Sequence, residues 1–205
     1  LTWGVAYGIV EEGLMVKSFF DPAWPDLGAL GVYGRWAGVN WVWSVELTLF
    51  HAVFSIAIPV LLVTLIFRDR QGDSWVSAAW LRGLGGILAA DVLLGFVALT
   101  PYRPPVLPYA LAALLAAGLV WIARRMPMSL RLADSPSEAG ARVRWLWLLG
   151  FVATVGFFAI SWGLTSARLS PWIPVILLMV WSGGAGLVIS RILGPGPGWA
   201  GRSLG

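Results

Sequence analysis

Cysteine is absent from this sequence of 205 residues, and histidine occurs once, at His51. The lack of cysteine excludes disulfide bonds, a thiolate nucleophile and any metal site with cysteine ligands. With a single histidine, the chain has no HExxH motif and no other recognised metal-binding spacing. Charged residues make up only 12% of the chain, about half of their share in soluble domains.

Apolar residues are correspondingly abundant: 59% of the chain is hydrophobic, and the mean hydropathy is +0.81. This composition predicts that lipid surrounds the chain. The net charge of +4 does not indicate a nucleic-acid partner, because the basic residues lie in short loops between apolar runs and form no patch. We expect them to face the anionic cytoplasmic leaflet of a bilayer.

Five apolar runs are long enough to cross a bilayer as helices, which takes about 20 residues. They cover residues 41–67, 80–101, 106–123, 144–165 and 171–193. A sixth segment, residues 1–20, carries Glu11, Glu12 and Lys17, so it inserts only if these groups face protein or water. The sequence therefore predicts an all-α, polytopic transmembrane helix bundle of about six helices. Since the chain starts at Leu1 rather than at methionine, we expect further residues upstream and treat this count as a minimum.

Basic residues alternate between the two sides of this six-helix arrangement. Ten of the 14 Lys and Arg residues fall on one side, which the positive-inside rule identifies as cytoplasmic. These ten are Arg68, Arg70, Arg82, Arg124, Arg125, Arg131, Arg142, Arg144, Arg191 and Arg202. The other side holds Lys17, Arg35, Arg103 and Arg168. The distribution predicts a cytoplasmic C-terminus, and we expect the membrane to be the cytoplasmic membrane of a prokaryote.

The whole chain, residues 1–205, is predicted to form a single transmembrane domain. Residues 21–40 contain two prolines and repeated glycines, too many helix breakers for a regular helix, which predicts an extracytoplasmic loop or a re-entrant piece. Residues 124–143 combine prolines with charges of both signs and are predicted to form a cytoplasmic loop. Residues 194–205 are predicted to be a flexible tail.

Ionisable side chains inside a bilayer cost at least a few kcal/mol each, so they mark candidate functional sites. In this sequence they lie on the first three predicted helices, whereas the later spans 106–123, 145–165 and 171–190 carry none. The candidates are Glu11, Glu12, Glu46, His51 and Asp91. At a rise of about 1.5 Å per residue, Asp91 and His51 both fall near the middle of their spans. We therefore expect any site to lie in the N-terminal half.

Helical spacing places four polar residues on one face of the second predicted helix. Ser44, Thr48, His51 and Ser55 follow each other at intervals of four, three and four residues, which is the repeat of an α-helical face. Pro59 follows Ser55 by four residues and lacks the N–H that would bond the Ser55 carbonyl. This predicts a kink and a free acceptor on the polar face.

The first segment carries Gly4, Gly8 and Glu12 at intervals of four residues. Such a face of small residues permits close approach of another helix. It ends in a carboxylate, which we expect to point at that neighbouring helix.

These patterns predict a substrate or ion pathway with a preferred cluster and further candidates. The preferred cluster is Glu12, His51 and Asp91, and the further candidates are Glu11, Glu46 and Ser55. Structural alternatives exist for each group. His51 and Asp91 can serve as hydrogen-bonding partners of neighbouring helices, and the two glutamates of the first segment can mark an interfacial helix that does not span.

The stretch YGIVEEGLMVKSFF in the first segment resembles the EExxxR helix of the CPBP family of intramembrane proteases and prenyl-protein peptidases. In that family, paired glutamates and histidines from later helices activate water or hold a metal. The resemblance implies that Glu11, Glu12 and His51 are the matching positions. Val16 lies where the family has its arginine, and Leu47 lies where an aromatic residue precedes the histidine by four.

Three functions remain open at this point. The first is transport of a proton, an ion or a small solute, since titratable groups at the midplane can relay protons or bind a cation. The second is a non-catalytic membrane subunit or assembly factor, which the 25 glycines suit through tight helix packing. The third is intramembrane hydrolysis. Whether the chain is an enzyme is left open, no cofactor or metal is indicated, and the expected partners are lipid and either a second copy or another membrane subunit.

Overall fold

The computed structural model of this chain describes residues 1–67, 70, 74–125, 139–167 and 169–193. Most residues in these ranges are helical. Contacts between the elements divide the chain into two compact units, one from the N-terminus to the end of the third apolar span and the other comprising the remainder.

Five helical stretches in the described part of the chain are long and apolar enough to cross a membrane. They are Trp41–Val63, Ala78–Ala98, Val106–Arg125, Arg144–Ser166 and Trp172–Ile189. Each coincides with one of the five predicted apolar runs, so the all-α membrane-helix class is confirmed. Large apolar side chains are exposed along these helices, as expected where lipid is the solvent. The chain is an integral membrane protein.

The first unit begins with α1 (Thr2–Gly8), which continues directly as a π-helix, π1 (Ile9–Met15). The predicted loop that follows contains a 3₁₀ helix at Pro25–Gly31. It then forms a short antiparallel hairpin of β1 (Arg35–Trp36) and β2 (Val39–Asn40). The abundance of proline and glycine thus produces short irregular elements.

The second apolar run is built from three consecutive helical pieces. They are α2 (Trp41–Phe50), a second π-helix, π2 (His51–Ala57), and α3 (Ile58–Ile66). The first unit is completed by α4 (Ala78–Ala98) and α5 (Val106–Arg125).

The first segment runs antiparallel to the α2–π2 helix, and glycines form the contact. A Cβ added to Gly4 would lie 2.7 Å from the Cα of Ala52, and one added to Gly8 would lie 3.1 Å from the Cα of Thr48. As the residue number rises along the first segment, the number of the contacted residue falls. The face of small residues is therefore the surface on which the two helices meet.

Lys17 follows π1 and is fully buried. Its φ of 64° is in the left-handed region, which a residue with a side chain rarely adopts. The ammonium donates to the carbonyl oxygens of Phe96 at 2.5 Å, Thr100 at 2.9 Å and Tyr102 at 3.3 Å. Phe96 lies in the last turn of α4, whose carbonyls lack intrahelical donors, and Thr100 and Tyr102 follow the helix. Lys17 therefore bonds the end of α4 and the residues just after it, and holds the first segment beside them.

The second unit contains α6 (Ala139–Phe158), a third π-helix, π3 (Ala159–Gly163), α7 (Leu164–Ser166) and α8 (Trp172–Leu193). Helices α6 and α8 pack against each other.

Their contact is built around one tryptophan. The indole of Trp181 lies against the backbone of Gly156, where an added Cβ would clash with the ring. Its Nε1–H donates to the carbonyl of Ala153 at 2.9 Å, which satisfies the polar atom of an otherwise apolar side chain.

Two predicted connecting regions fall mainly outside the described residues. Of the loop predicted at 124–143, residues 126–138 lie outside, and α6 begins at Ala139. The tail predicted at 194–205 lies outside entirely. The single transmembrane domain and the side of the C-terminus stay predictions.

Candidate functional site

His51 and Glu12 meet between the first segment and the α2–π2 helix. The Nε2 atom of His51 lies 3.1 Å from Oε1 of Glu12. Gly8 makes this possible, because an added Cβ there would lie only 3.1 Å from the Cβ of His51. A larger residue at that position would push the imidazole away from the carboxylate.

The other ring nitrogen of His51 has two polar neighbours. Nδ1 lies 2.9 Å from Oγ of Ser55 and 3.2 Å from Oε2 of Glu11. Both ring nitrogens therefore face a carboxylate oxygen. Only the doubly protonated imidazole carries a hydrogen on each nitrogen. In that form it donates from Nε2 to Glu12 and from Nδ1 to Ser55, with Oε2 of Glu11 at ion-pair distance.

Both sides of this contact are supplied by π-helices. π1 carries Glu11 and Glu12, and π2 carries His51 and Ser55. π-Helices close i→i+5 hydrogen bonds, are rare, and occur frequently at functional sites. Here Glu11 and Glu12 lie on one π-helix and His51 and Ser55 on the other, so every member of the polar cluster is on a π-helix.

Behind Glu12 lies a second polar layer. Ser18 is fully buried, and its Oγ donates to Oε2 of Glu12 at 2.5 Å. The same Oγ accepts the indole N–H of Trp43 at 3.1 Å. Trp43 is itself held by the N-cap of α2, since its backbone N–H donates to Oδ1 of Asn40 at 3.1 Å. Both oxygens of Glu12 are thus occupied.

The three charged members differ in exposure. The His51 and Glu12 side chains are 12% and 14% exposed, whereas that of Glu11 is 28% exposed. Aromatic rings surround the imidazole edge-on, with centroids at 5.9 Å for Tyr7 and 5.5 Å for Phe50. The Tyr7 side chain also forms a hydrogen bond with Glu11. Of these three side chains, that of Glu11 is the most exposed.

The loop beside the cluster is tied down by further buried polar groups. Arg35 donates to the carbonyls of Gly31 at 3.1 Å and Phe20 at 2.8 Å. Burial lowers the pKa of its guanidinium below the usual value, and nearby Tyr102 and Asp21 partly offset this. Asp21 accepts from the Thr100 hydroxyl at 3.1 Å, so the loop is bonded to the end of α4.

The structure brings four of the six predicted site residues together. Glu11, Glu12, His51 and Ser55 form the cluster described above. Asp91 is exposed on α4, outside this hydrogen-bonded group. It lies one turn before Gly95, which contacts Met15, so Asp91 and Glu11 share a level on neighbouring helices. Its charge acts on Tyr7. Glu46 is buried in α2.

Sequence reasoning missed Tyr7, Ser18 and Trp43 as members of the site. Ser18 follows Glu12 by six residues, an interval that does not align on a helix. It reaches Glu12 because the chain turns at Lys17, whose positive φ has no signal in the sequence. Tyr7 precedes Glu11 by four residues, and that helical interval could have identified it.

Among the described residues, no three histidine, aspartate or glutamate side chains converge in a way that could hold a metal ion. The arrangement can instead bind and pass protons, because carboxylate, imidazole and hydroxyl groups lie within hydrogen-bonding distance in an apolar bundle. Comparison with protein-family models, with curated proteins and with solved structures gives no match to this chain.

Proposed function

We propose that the chain transports protons, alone or coupled to a small solute, through the site formed by Glu11, Glu12 and His51. The observation that carries this proposal is the position of one imidazole between two carboxylates, with oxygen atoms 3.2 Å and 3.1 Å from its two nitrogens. In membrane proteins, ionisable groups of this kind are characteristic of proton relays and ion pathways.

The chemistry of one transfer step follows from the contacts. A proton moves from Nδ1 of His51 to Oε2 of Glu11, so that an N–H bond breaks and an O–H bond forms. An imidazolium and a carboxylate become a neutral imidazole and a neutral carboxylic acid. The net charge of the pair is zero before and after, so the step does not change the total charge held in a medium of low dielectric constant.

Ser55 provides a second contact for the same nitrogen. It lies four residues beyond His51 toward α3, whereas Glu12 and Ser18 lie toward the start of α2. With the predicted topology, these directions are the cytoplasmic and extracytoplasmic sides. His51 thus has polar partners on both sides of its own level, and Ser55 shares Nδ1 with Glu11.

The same geometry makes transport preferable to hydrolysis. A general base that activates water needs a ring nitrogen with a free lone pair. Each nitrogen of His51 instead lies within hydrogen-bonding distance of a carboxylate oxygen. The glutamates that resemble the CPBP pair are therefore better placed to share protons with His51 than to leave it free for water.

Reconstitution tests this proposal. The full chain is placed in liposomes that contain a pH-sensitive dye, and a potassium gradient with valinomycin drives proton entry. We expect proton flux above that of empty liposomes, and a loss on the order of 100-fold in His51→Gln and Glu11→Gln, as for removal of a proton-transfer group. Asp26→Asn is the matched control, because Asp26 is an exposed carboxylate in the 3₁₀ helix, and its flux is expected to stay at the wild-type level.

Two outcomes would contradict the proposal. If folded wild-type protein gives the flux of empty liposomes, proton transport is wrong and a role as a membrane subunit is favoured. If His51→Gln retains the wild-type flux, protons cross the membrane by a route that does not include this site.

A further inference from the structure

We propose that the two adjacent glutamates have different roles: Ser18 and Trp43 hold Glu12 as a fixed, charged partner of His51, and Glu11 is the carboxylate that exchanges protons. This assignment rests on the proposed function and makes Ser18 a positioning residue for the site. It follows from the contacts of each oxygen and from the exposure of the two side chains.

The direction of the Ser18 hydroxyl is fixed by the chemistry of its neighbours. An indole N–H can only donate, so Ser18 must accept from Trp43 at 3.1 Å. Its own hydrogen is then free for Glu12, whose Oε2 lies at 2.5 Å while the Glu12 backbone carbonyl lies farther away at 3.3 Å. A hydroxyl that donates to a carboxylate forms a strong, charge-assisted hydrogen bond, which holds the carboxylate in place.

Both oxygens of Glu12 therefore have a hydrogen-bonding partner inside the protein. Its Oε1 faces Nε2 of His51, and its Oε2 accepts from a serine that is fully buried. The serine cannot pass a proton outward, because the group behind it is Trp43, whose N–H is not released in this pH range. This side of the site is closed to proton exchange.

Glu11 has the opposite surroundings. Its side chain is 28% exposed, twice the value of Glu12. Its Oε2 lies 3.2 Å from Nδ1 of His51, slightly farther than the competing Ser55 hydroxyl at 2.9 Å. The Oε2 atom that faces His51 is buried, but the Glu11 side chain as a whole is the more exposed and the less closely held of the two, so we infer that it takes a proton from His51 and releases it to the surroundings.

The single histidine allows a direct test that does not depend on transport. Selective ¹⁵N labelling of histidine gives signals from His51 alone, in the full chain in nanodiscs. We expect Ser18→Ala to shift the Nε2 resonance and to speed exchange of its hydrogen with water about tenfold, the effect of losing a hydrogen bond to a charged group. Ser18→Thr retains the hydroxyl and is expected to retain both signals. Trp43→Phe removes the fixed donor and should shift Nε2 in the same direction.

Two further variants separate the glutamates. Glu11→Gln is expected to change the Nδ1 resonance, leave Nε2 in place and abolish flux, whereas Glu12→Gln changes Nε2. Ser44→Ala is the matched control, since the Ser44 hydroxyl bonds the Asn40 carbonyl in its own helix at 2.6 Å, and it should change neither signal.

The assignment is overturned if Ser18→Ala and Trp43→Phe both leave Nε2 unchanged in folded protein, or if Glu11→Gln transports protons like the wild type. Failure of the proposed function gives a different result. In that case the wild type shows no flux, while the Nε2 shifts in Ser18→Ala and Trp43→Phe still occur and support the positioning role.

Discussion

Gly4→Ala tests whether close packing of the first segment holds the site together. The new Cβ would lie 2.7 Å from the Cα of Ala52 and 2.8 Å from its carbonyl oxygen. Both are backbone atoms, so neither can rotate away as a side chain would. Ordinary van der Waals contact begins at 3.4 Å, so the two helices must separate locally by about 0.7 Å.

This separation would reach the site, because the same two helices supply Glu12 and His51. Their hydrogen bond is 3.1 Å long. An added 0.7 Å would lengthen it to about 3.8 Å, which is beyond hydrogen-bonding range. The overpacking itself costs about 1–3 kcal/mol, which corresponds to a fall in Tm of roughly 2–12 °C for a chain of this size.

The assay is thermal unfolding in detergent together with proton flux in liposomes. Gly86→Ala is the matched control, since an added Cβ there meets nothing within 4 Å. It should keep the wild-type flux and gain up to about 1 kcal/mol from helix propensity. Gly4→Ala should lose stability and at least about tenfold in flux. If Gly4→Ala matches Gly86→Ala in both measurements, the packing of the first segment described here is wrong.

Two further predictions concern charged groups outside the hydrogen-bonded cluster. Lys17→Met leaves three carbonyl oxygens without their donor. It is expected to destabilise the fold by about 2–5 kcal/mol, which is measured as a lower Tm. An unchanged Tm would mean that these hydrogen bonds contribute nothing to stability. Asp91→Asn is expected to lower proton flux while the yield of folded protein stays normal, because Asp91 lies at the same depth in the membrane as Glu11. A lower yield with unchanged flux per folded molecule would instead indicate that Asp91 pairs with a partner chain.

Much of the cluster could be predicted from helical spacing. The intervals between Gly4, Gly8 and Glu12 indicated the contact face and its carboxylate, and the interval from His51 to Ser55 indicated their common face. These predictions succeed because the helical repeat and the positions of charged residues within apolar segments can both be identified in the sequence. The five apolar spans were predictable for the same reason.

The remaining features depend on tertiary structure. Nothing in the stretches Ile9–Met15 and His51–Ala57 distinguishes a π-helix from an α-helix, since both keep a similar spacing of polar residues. Ser18 joins the site only through the left-handed turn at Lys17, and that turn is stabilised by carbonyls at the end of α4 and just beyond it. Asp91 was included in the predicted cluster because of its depth in the predicted span. Depth fixes the level of a residue in the membrane but not the direction in which its side chain points.

The position of Lys17 also constrains how the protein is made. Its three carbonyl partners lie 79, 83 and 85 residues later in the chain. When the first segment leaves the ribosome, these partners have not been synthesised, and an ammonium without them would cost several kcal/mol to bury. The segment that contains Lys17 can therefore reach its final place only after the end of α4 has been translated and inserted, so the cluster around His51 is assembled late, by docking of this segment onto helices made after it.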